Sequence, residues 1–216
     1  MPTNPILDDL DLAALLCSRV CHDVISPVGA IANGLEVLEE EDDEEMRKIA
    51  FDLVSKSAKQ ASAKLQFCRL AFGAAGSAGA HIDLGEAGDV AMLFVGSEKV
   101  ELKWLAPREN RPKLEVKLLM NMMLMGMSSI PRGGVVTVSS EDGGLLVRAS
   151  GQKASVPEKS QMLLQGSVEA SDLDARLVQV YYTTRLAQNA GFDLAASQDG
   201  EDVIISASLK SSVVAA

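Results

Sequence analysis

The sequence of 216 residues is poor in basic residues and cysteines and has no long apolar run. Its 20 Lys and Arg are outnumbered by 30 Asp and Glu, and the net charge of −10 would repel nucleic acid and anionic membrane surfaces. No stretch approaches the roughly 18 uninterrupted apolar residues of a membrane span, and the amino terminus carries acids where a secretory signal carries basic residues. We therefore expect a cytoplasmic protein that has neither nucleic-acid nor membrane partners.

The three cysteines, Cys17, Cys21 and Cys68, are odd in number and have apolar neighbours, which argues against a disulfide framework. We expect reduced thiols that pack as small hydrophobic side chains. Cys17 and Cys21 lie one helical turn apart, but their neighbourhood offers only three soft ligands, too few for a structural zinc site. The sequence thus predicts no metal site.

Two stretches of helical periodicity fill the first third of the chain. Apolar residues recur at gaps of three and four over 10–38 and again over 46–72. Seven consecutive acids at 39–45 separate them and include the good helix-capping residues Asp42 and Asp43. The pattern predicts an antiparallel helical hairpin whose apolar stripe is wider than its own partner helix covers. We therefore expect two copies to form a homodimer with a four-helix bundle.

The second part of the chain has a different period. The small residues at 73–80 predict a linker, so we place a helical domain at 1–76 and a second domain at 77–216. The patterns beyond it predict, in order, a strand at 99–104, a helix at 112–130, a hairpin at 135–150, a helix at 172–190 and a hairpin at 192–209. Asp-Gly pairs mark both hairpin turns, and Gly191 should end the second helix. Helices beside a mostly antiparallel sheet make the fold class α+β.

His22 is the residue best suited to carry chemistry. It lies about 200° around the first helix from Val20 and Val24, which face the apolar stripe, so its side chain is expected in solvent. An exposed imidazole is largely neutral at cytoplasmic pH and can be phosphorylated without further activation. Pro27 is expected to kink the helix just beyond it. The periodicity alone is also consistent with a solvent-facing His22 that has no function.

The residues around His22 resemble a known motif. Residues 22–31, HDVISPVGAI, resemble the H-box of two-component histidine kinases, in which a histidine, an acidic neighbour, a small polar residue and a proline start the dimerisation and phosphotransfer helix. Residues 121–138, NMMLMGMSSIPRGGVVTV, are similar to the kinase N-box helix and the strand after it. The resemblance, from about residue 10 to 209, implies a phosphotransfer hairpin followed by a histidine-kinase ATPase-like (Bergerat-type) α/β sandwich.

The resemblance fails at the nucleotide site. Aligned on residues 131–134, the metal-binding asparagine of a kinase falls on Met125, whose thioether does not suit Mg²⁺. Residues 149–153, ASGQK, stand where a kinase has DxGxG, and residues 169–174, EASDLD, stand where it has a glycine-rich phosphate cradle. A phosphotransfer hairpin joined to a kinase-like domain without an ATP site is similar to ChpT-type histidine phosphotransferases of alphaproteobacteria.

That resemblance implies a function. His22 would accept a phosphoryl group from the receiver domain of a hybrid histidine kinase and pass it to response-regulator receiver domains in a cell-cycle phosphorelay. The chain would not be an ATP-dependent kinase and would need no cofactor of its own, since the receiver supplies Mg²⁺. Asp23 would orient the imidazole and Pro27 would shape the helix. The residues expected to contact the receiver are Arg19, Ser26, Ile25 and Gly29, whereas Val28 and Ile31 fit the inner stripe and are expected in the core.

Two alternatives stay open. In one, the chain is an unphosphorylated scaffold or antikinase that docks onto histidine kinases, and His22 is incidental. In the other, it is a true kinase with an unusual ATP site. The role of Arg19 is open as well, because a side chain one turn before His22 fits a contact to the receiver, neutralisation of phosphoryl charge, or an ordinary surface arginine.

Overall fold

Two long antiparallel helices, α1 (Asp9–Glu40) and α2 (Glu44–Ala71), form the predicted hairpin in the computed structural model, which describes residues 7–73, 81–96, 99–141 and 143–210. Asp8 caps α1 by accepting a hydrogen bond from the N–H of Asp11 at 2.8 Å. Asp43 caps α2 by accepting one from the N–H of Glu45 at 3.3 Å. The acidic turn is therefore confined to residues 41–43, and the other acids of the run belong to the two helices.

Much of the apolar surface of α1 is not covered by α2. Only Pro27 and Gly34 are buried along its length. Val28, expected in the core, is 49% exposed, and Cys17 and Cys21, expected to be packed, are exposed as well. The periodicity located the apolar stripe correctly, but it does not show which part of the stripe faces α2 and which part faces away.

α1 alone among the described helices is long and apolar enough, by length and composition, to cross a membrane. Its best 18-residue window has a mean hydropathy of 1.3 and is 6% buried. The sequence criterion of an uninterrupted apolar run missed this helix because polar residues break its stripe. Arg19 and Asp23 lie near its middle, where charged groups are costly in a bilayer. The uncovered stripe marks α1 as a helix that needs a further partner.

A second unit of helices and strands follows the hairpin. Its elements in chain order are β1 (His81–Asp83), α3 (Leu84–Val95), β2 (Val100–Trp104), β3 (Asn110–Pro112), α4 (Lys113–Ser129), β4 (Gly134–Glu141), β5 (Gly144–Ser150), α5 (Glu158–Leu164), α6 (Leu177–Ala190), β6 (Phe192–Asp199) and β7 (Asp202–Leu209). Five strands make one sheet in the order β2-β4-β5-β7-β6, parallel only between β2 and β4, and β1 pairs with β3 separately. Helices packed on a mixed sheet confirm the α+β class.

Helix α4 forms the centre of the core. The sequence predicted one apolar face, but every residue from Val116 to Met125 is buried, the polar Lys117 and Asn121 included. The reason is that α4 contacts the sheet through β4, β5 and β7 on one side and α2 and α6 on the others. The second unit is thus built directly onto the end of the hairpin.

Several boundaries differ from the predictions. α6 begins at Leu177 rather than at 172, because Oδ1 of Asp174 accepts hydrogen bonds from the N–H groups of Arg176 and Leu177 at 2.9 and 2.8 Å and fixes the start of the helix there. Gly191 ends α6 in the left-handed conformation, with φ of 79°, as expected. The predicted domain boundary, most of the predicted linker and Asp142 of the first hairpin turn lie outside the described residues.

Candidate functional site

His22 lies on the outer face of α1, as predicted, with 71% of its side chain exposed. Its Nδ1 is 3.5 Å from Oδ1 of Asp23, the outer limit of a hydrogen bond. Nε2 has no hydrogen-bond partner among the described residues, which leaves that nitrogen available as a nucleophile. α1 continues as a helix through Pro27, whose ring is buried.

Asp23 has a closer partner than the histidine. Nε of Arg19, one turn earlier, donates to Oδ2 of Asp23 at 2.9 Å, and the two side chains are only 22% and 20% exposed. This half-sheltered ion pair fixes the carboxylate beside His22. The sequence analysis expected Arg19 to contact the receiver. In the structure its guanidinium is paired with Asp23, an interaction that the sequence did not indicate.

Ser26, Ile25 and Gly29 form the uncovered part of the site. All three are exposed on α1 near His22, and Ile25 is 69% exposed. A Cβ placed on Gly29 would meet no atom within 4 Å, so nothing in the described chain covers this face. The structure brings the three residues together beside the imidazole, where a partner protein has access to them.

A cavity of about 930 Å³ lies beside His22, between α1 and the second unit. Arg19, His22 and Asp23 form its wall on the α1 side. The opposite wall comes from five distant parts of the chain and includes Met125, Ser128, Glu158, Lys159, Arg176 and Gln179. No sequence motif indicates this wall, because its members share no spacing and meet only after α4, α5 and α6 have packed on β6 and β7.

The far wall carries charges of both signs. Asp174 lines the cavity, and its pKa lies below the ordinary value, first because the N–H of Leu177 donates to the carboxylate and also because of the charges of Lys159 and Arg176. Lys159 and Arg176 are both exposed. The cavity therefore offers an approaching anion two cations on the side opposite His22, beside the carboxylates of Glu158 and Asp174.

Met125, where the kinase pattern has its metal-binding asparagine, lies in the cavity wall and is 4% exposed. A thioether is a poor ligand for a hard cation. Among the residues that the structure describes, no group of three His, Cys, Asp or Glu side chains is placed to hold a metal ion. The wall therefore presents a thioether at the position where the kinase pattern has its metal-binding asparagine.

Cys68 of α2 lies on the inner side of the site. It is buried, as expected of a small hydrophobic side chain. Burial raises the pKa of its thiol to about 11, and the nearby charge of Asp23 adds to the effect. The carboxylate of Asp23 thus lies beside His22 and Arg19 on α1, and its charge also acts on the Cys68 thiol of α2.

Comparisons with known proteins agree with this architecture. Protein phosphotransferase ChpT of Brucella abortus (strain 2308) is 48% identical over 205 residues, which are 93% of this chain and 97% of that protein. Residues 84–202 match the family model of the histidine phosphotransferase C-terminal domain. A solved bacterial phosphotransferase is 44% identical, with a TM-score of 0.87 over 95% of this chain and all of that one. The histidine kinase domain of a blue-light activated kinase of Erythrobacter litoralis EL346 is 16% identical, with a TM-score of 0.44 over 83% of this chain and 94% of that one.

Proposed function

Because the chain belongs to the family of histidine phosphotransferases that includes ChpT, we propose that His22 carries a phosphoryl group between receiver domains. The observation that supports this most is the exposed imidazole beside a fixed carboxylate at the edge of the cavity. The donor is the receiver domain of a hybrid histidine kinase. The acceptors are receiver domains of response regulators in a cell-cycle phosphorelay, in the cytoplasm.

The transfer step uses few groups of this chain. Nε2 of neutral His22 attacks the phosphorus of the aspartyl phosphate of the donor; the N–P bond forms while the O–P bond breaks, and its electron pair stays with the departing aspartate carboxylate. The imidazole keeps its proton on Nδ1, beside Asp23, whose negative charge stabilises the phosphorylated ring. Attack by the aspartate of a second receiver reverses the step and restores neutral His22.

The remaining groups align the partners. The receiver supplies Mg²⁺, and this chain supplies the geometry that holds the two reacting groups in line. Arg19 holds Asp23, while Ser26, Ile25 and Gly29 contact the receiver. The second unit provides a further docking surface through Lys159 and Arg176, the two exposed cations of the far wall.

We also propose that the chain does not use ATP. Met125 and the segments at 149–153 and 169–174 lack the groups that bind magnesium, adenine and phosphate in kinases. The phosphate on His22 then has to come from another protein.

The assembly that we propose is a homodimer built on the hairpin. Large apolar side chains of both helices stay exposed towards the end that carries the acidic turn: Val28, Leu35, Met46, Ile49 and Leu53. Their burial against a second copy would complete a four-helix bundle. The second unit packs at the other end of the hairpin, where Phe67 and Ala71 are buried, and leaves this stripe accessible.

Two labelling reactions test the function. The purified chain is incubated with radiolabelled ATP alone and, separately, with a phosphorylated receiver of a hybrid kinase. We expect label on the chain only in the second reaction, and none on H22A, whose substitution at an exposed position should change stability little. Label from ATP alone would indicate a kinase. No label in either reaction, from any hybrid-kinase receiver of the source cell, would favour a scaffold.

A charge-reversal variant tests the proposed docking surface on the second unit. The double variant K159E/R176E should lower transfer from the phosphorylated receiver, because its far wall then repels the phosphoryl group and the acidic pocket around it. The matched double variant K99E/R132E carries the same charge change on two other exposed positions of the second unit. Equal transfer rates in both variants would remove the docking surface from the proposal.

A further inference from the structure

The carboxyl end of α2 is capped by side chains of α4. The last carbonyl groups of a helix have no partner within the helix. In this chain Nδ2 of Asn121 donates to the carbonyl of Ala71, the last residue of α2, at 3.0 Å. Nζ of Lys117 donates to the carbonyl of Gly73, two residues further on. The phosphotransfer hairpin thus ends on two polar groups that belong to the second unit.

Asn121 joins three helices, not two. Its side chain is fully buried and also donates to the carbonyl of Lys117 within α4, at 2.9 Å. From α6, Nε2 of Gln179 donates to the carbonyl and to Oδ1 of Asn121 at 2.9 and 3.3 Å, and also contacts Thr183. Every polar atom of the Asn121 side chain therefore has a partner, and the partners lie on α2, α4 and α6.

Both ends of this network reach the site around His22. Gln179 is part of the far wall of the cavity. On the other side, Ala71 ends α2, and α2 packs along α1, the helix that carries Asp23 and His22. Asn121 therefore lies between the wall formed by the second unit and the helix that supports Asp23 and His22.

Other contacts fix the same junction but carry no comparable link. The N–H of Leu7, ahead of α1, donates to Oη of Tyr181 at 3.3 Å, and the Phe67 ring of α2 stacks on Phe94 of α3 with centroids 4.1 Å apart. The stacked rings bury apolar surface and tolerate small shifts, and the Leu7 hydrogen bond does not involve α2. The hydrogen bonds of Asn121 are directional and join α2 to α4 and α6, so they specify how α2 sits against α6.

We propose that Asn121 is a positioning residue of the phosphotransfer site, which by capping α2 from the second unit holds the far wall of the cavity in register with His22. The inference rests on the proposed function. It gives the second unit a definite task in a protein that we propose does not use it to bind ATP. The unit is a fixed wall of the site, and the buried amide of Asn121 is one of the contacts that set the relative position of wall and imidazole.

The decisive variant is N121L in the full chain. Leucine has a similar volume, but it leaves the Ala71 carbonyl without the Asn121 donor. It also removes the 3.3 Å acceptor of the Gln179 amide, which keeps its contacts with the backbone carbonyl of residue 121 and with Thr183. M122L is the matched control, because Met122 is the neighbouring, fully buried residue of α4 and also becomes leucine, with no hydrogen bond lost. K117M, which removes only the donor to Gly73, is a second and milder variant of the same junction.

Three measurements separate positioning from general damage. Hydrogen exchange should become faster in the last turn of α2 in N121L and not in M122L, while the sheet of the second unit stays protected in both. Transfer from a phosphorylated receiver should fall about tenfold or more in kcat for N121L, since a small misplacement of the reacting groups is costly. Phosphorylation of His22 by phosphoramidate, which needs no wall, should be unchanged.

Equal exchange and equal transfer in N121L and M122L would overturn the proposal. If N121L does not fold, K117M is the deciding variant. Hydrogen exchange and transfer rates equal to those of M122L would count against the proposal. Faster exchange in the last turn of α2 together with slower transfer would support it. If the unaltered chain accepts phosphate from no receiver, the proposed function fails, while the exchange comparison still shows whether Asn121 fixes the junction.

Discussion

Arg19 and Asp23 form an ion pair of 2.9 Å on α1, shorter than the 3.5 Å between Asp23 and the His22 imidazole. The carboxylate that should orient the histidine is therefore held in place by another side chain of the same helix. This arrangement gives Arg19 a role that the sequence did not indicate, beside the roles that stay open for it. If Arg19 acts through Asp23, the two residues behave as one unit, and their effects on transfer are not independent.

A double-mutant cycle tests this coupling. D23N should lower the rate of transfer to His22 by roughly 10²-fold, because an amide does not stabilise the positive charge of the phosphorylated ring. R19A should have a smaller effect, and the R19A/D23N double variant should be no slower than D23N. Single-turnover transfer from a phosphorylated receiver measures all four rates. Effects that multiply would instead assign Arg19 a contact of its own with the receiver or the phosphoryl group.

The three cysteines should react at very different rates. A pKa of about 11 leaves roughly one Cys68 thiol in a thousand ionised at pH 8, and the side chain is buried, whereas Cys17 and Cys21 are exposed. Native alkylation followed by mass spectrometry should show two fast additions and one slow one, and C68S should lose only the slow one. D23N should speed up the slow addition, since the Asp23 charge contributes to the raised pKa. Three equal rates would contradict the burial of Cys68.

Most elements with a clear sequence period were predicted, but the helices α3 and α5 and the features that depend on distant contacts were not. Both hairpin helices and the strands β4 to β7 have clear periods of 3.6 or 2. The short strands β1 and β3 carry too few residues to show a period. The prediction that α4 buries only one face was wrong, because α2, α6 and the sheet surround that helix. At the site, His22, Asp23 and their exposed neighbours followed from a local motif. The wall with Lys159 and Arg176 did not, because it is assembled from separate helices.

A charged residue on the exposed apolar stripe of the hairpin should dissociate the proposed homodimer. Leu53 is 44% exposed on α2, and a glutamate there would be buried without a partner in the proposed dimer. L53E should weaken the dimer by about 2 kcal/mol or more, a loss typical of a central interface residue. Sedimentation equilibrium measures the dissociation constant. L93E, at a residue of α3 that is 62% exposed, is the control and should leave the dimer intact. A monomeric unaltered chain at all concentrations would refute the homodimer.

Two glycines of α1 should respond oppositely to alanine. A Cβ on Gly34 would lie 2.6 Å from Cγ2 of Val54, so G34A must push the two helices apart, and we expect it to destabilise the chain by about 1–3 kcal/mol. A Cβ on Gly29 meets nothing within 4 Å, so G29A should gain stability, by about 0.4–1 kcal/mol. Urea unfolding at one fixed protomer concentration compares both with the unaltered chain. A stabilised G34A would show that the helices do not approach closely there.

Lys117 should make folding stability depend on alkaline pH. Burial, and next the charge of Lys113, lowers the pKa of Lys117 from its ordinary value of 10.5. Between the lowered pKa and 10.5 the unfolded chain therefore binds more protons at this residue than the folded chain does, so the contribution of Lys117 to stability rises as the pH increases through that window. The neutral amine still donates to the Gly73 carbonyl. Urea unfolding of the unaltered chain and of K117M, from pH 7 to about 10.5, measures this contribution. As the pH rises, the free energy of unfolding of the unaltered chain should increase relative to that of K117M. A shift the other way would mean that the carbonyl end of α2 stabilises the ammonium charge more than burial penalises it.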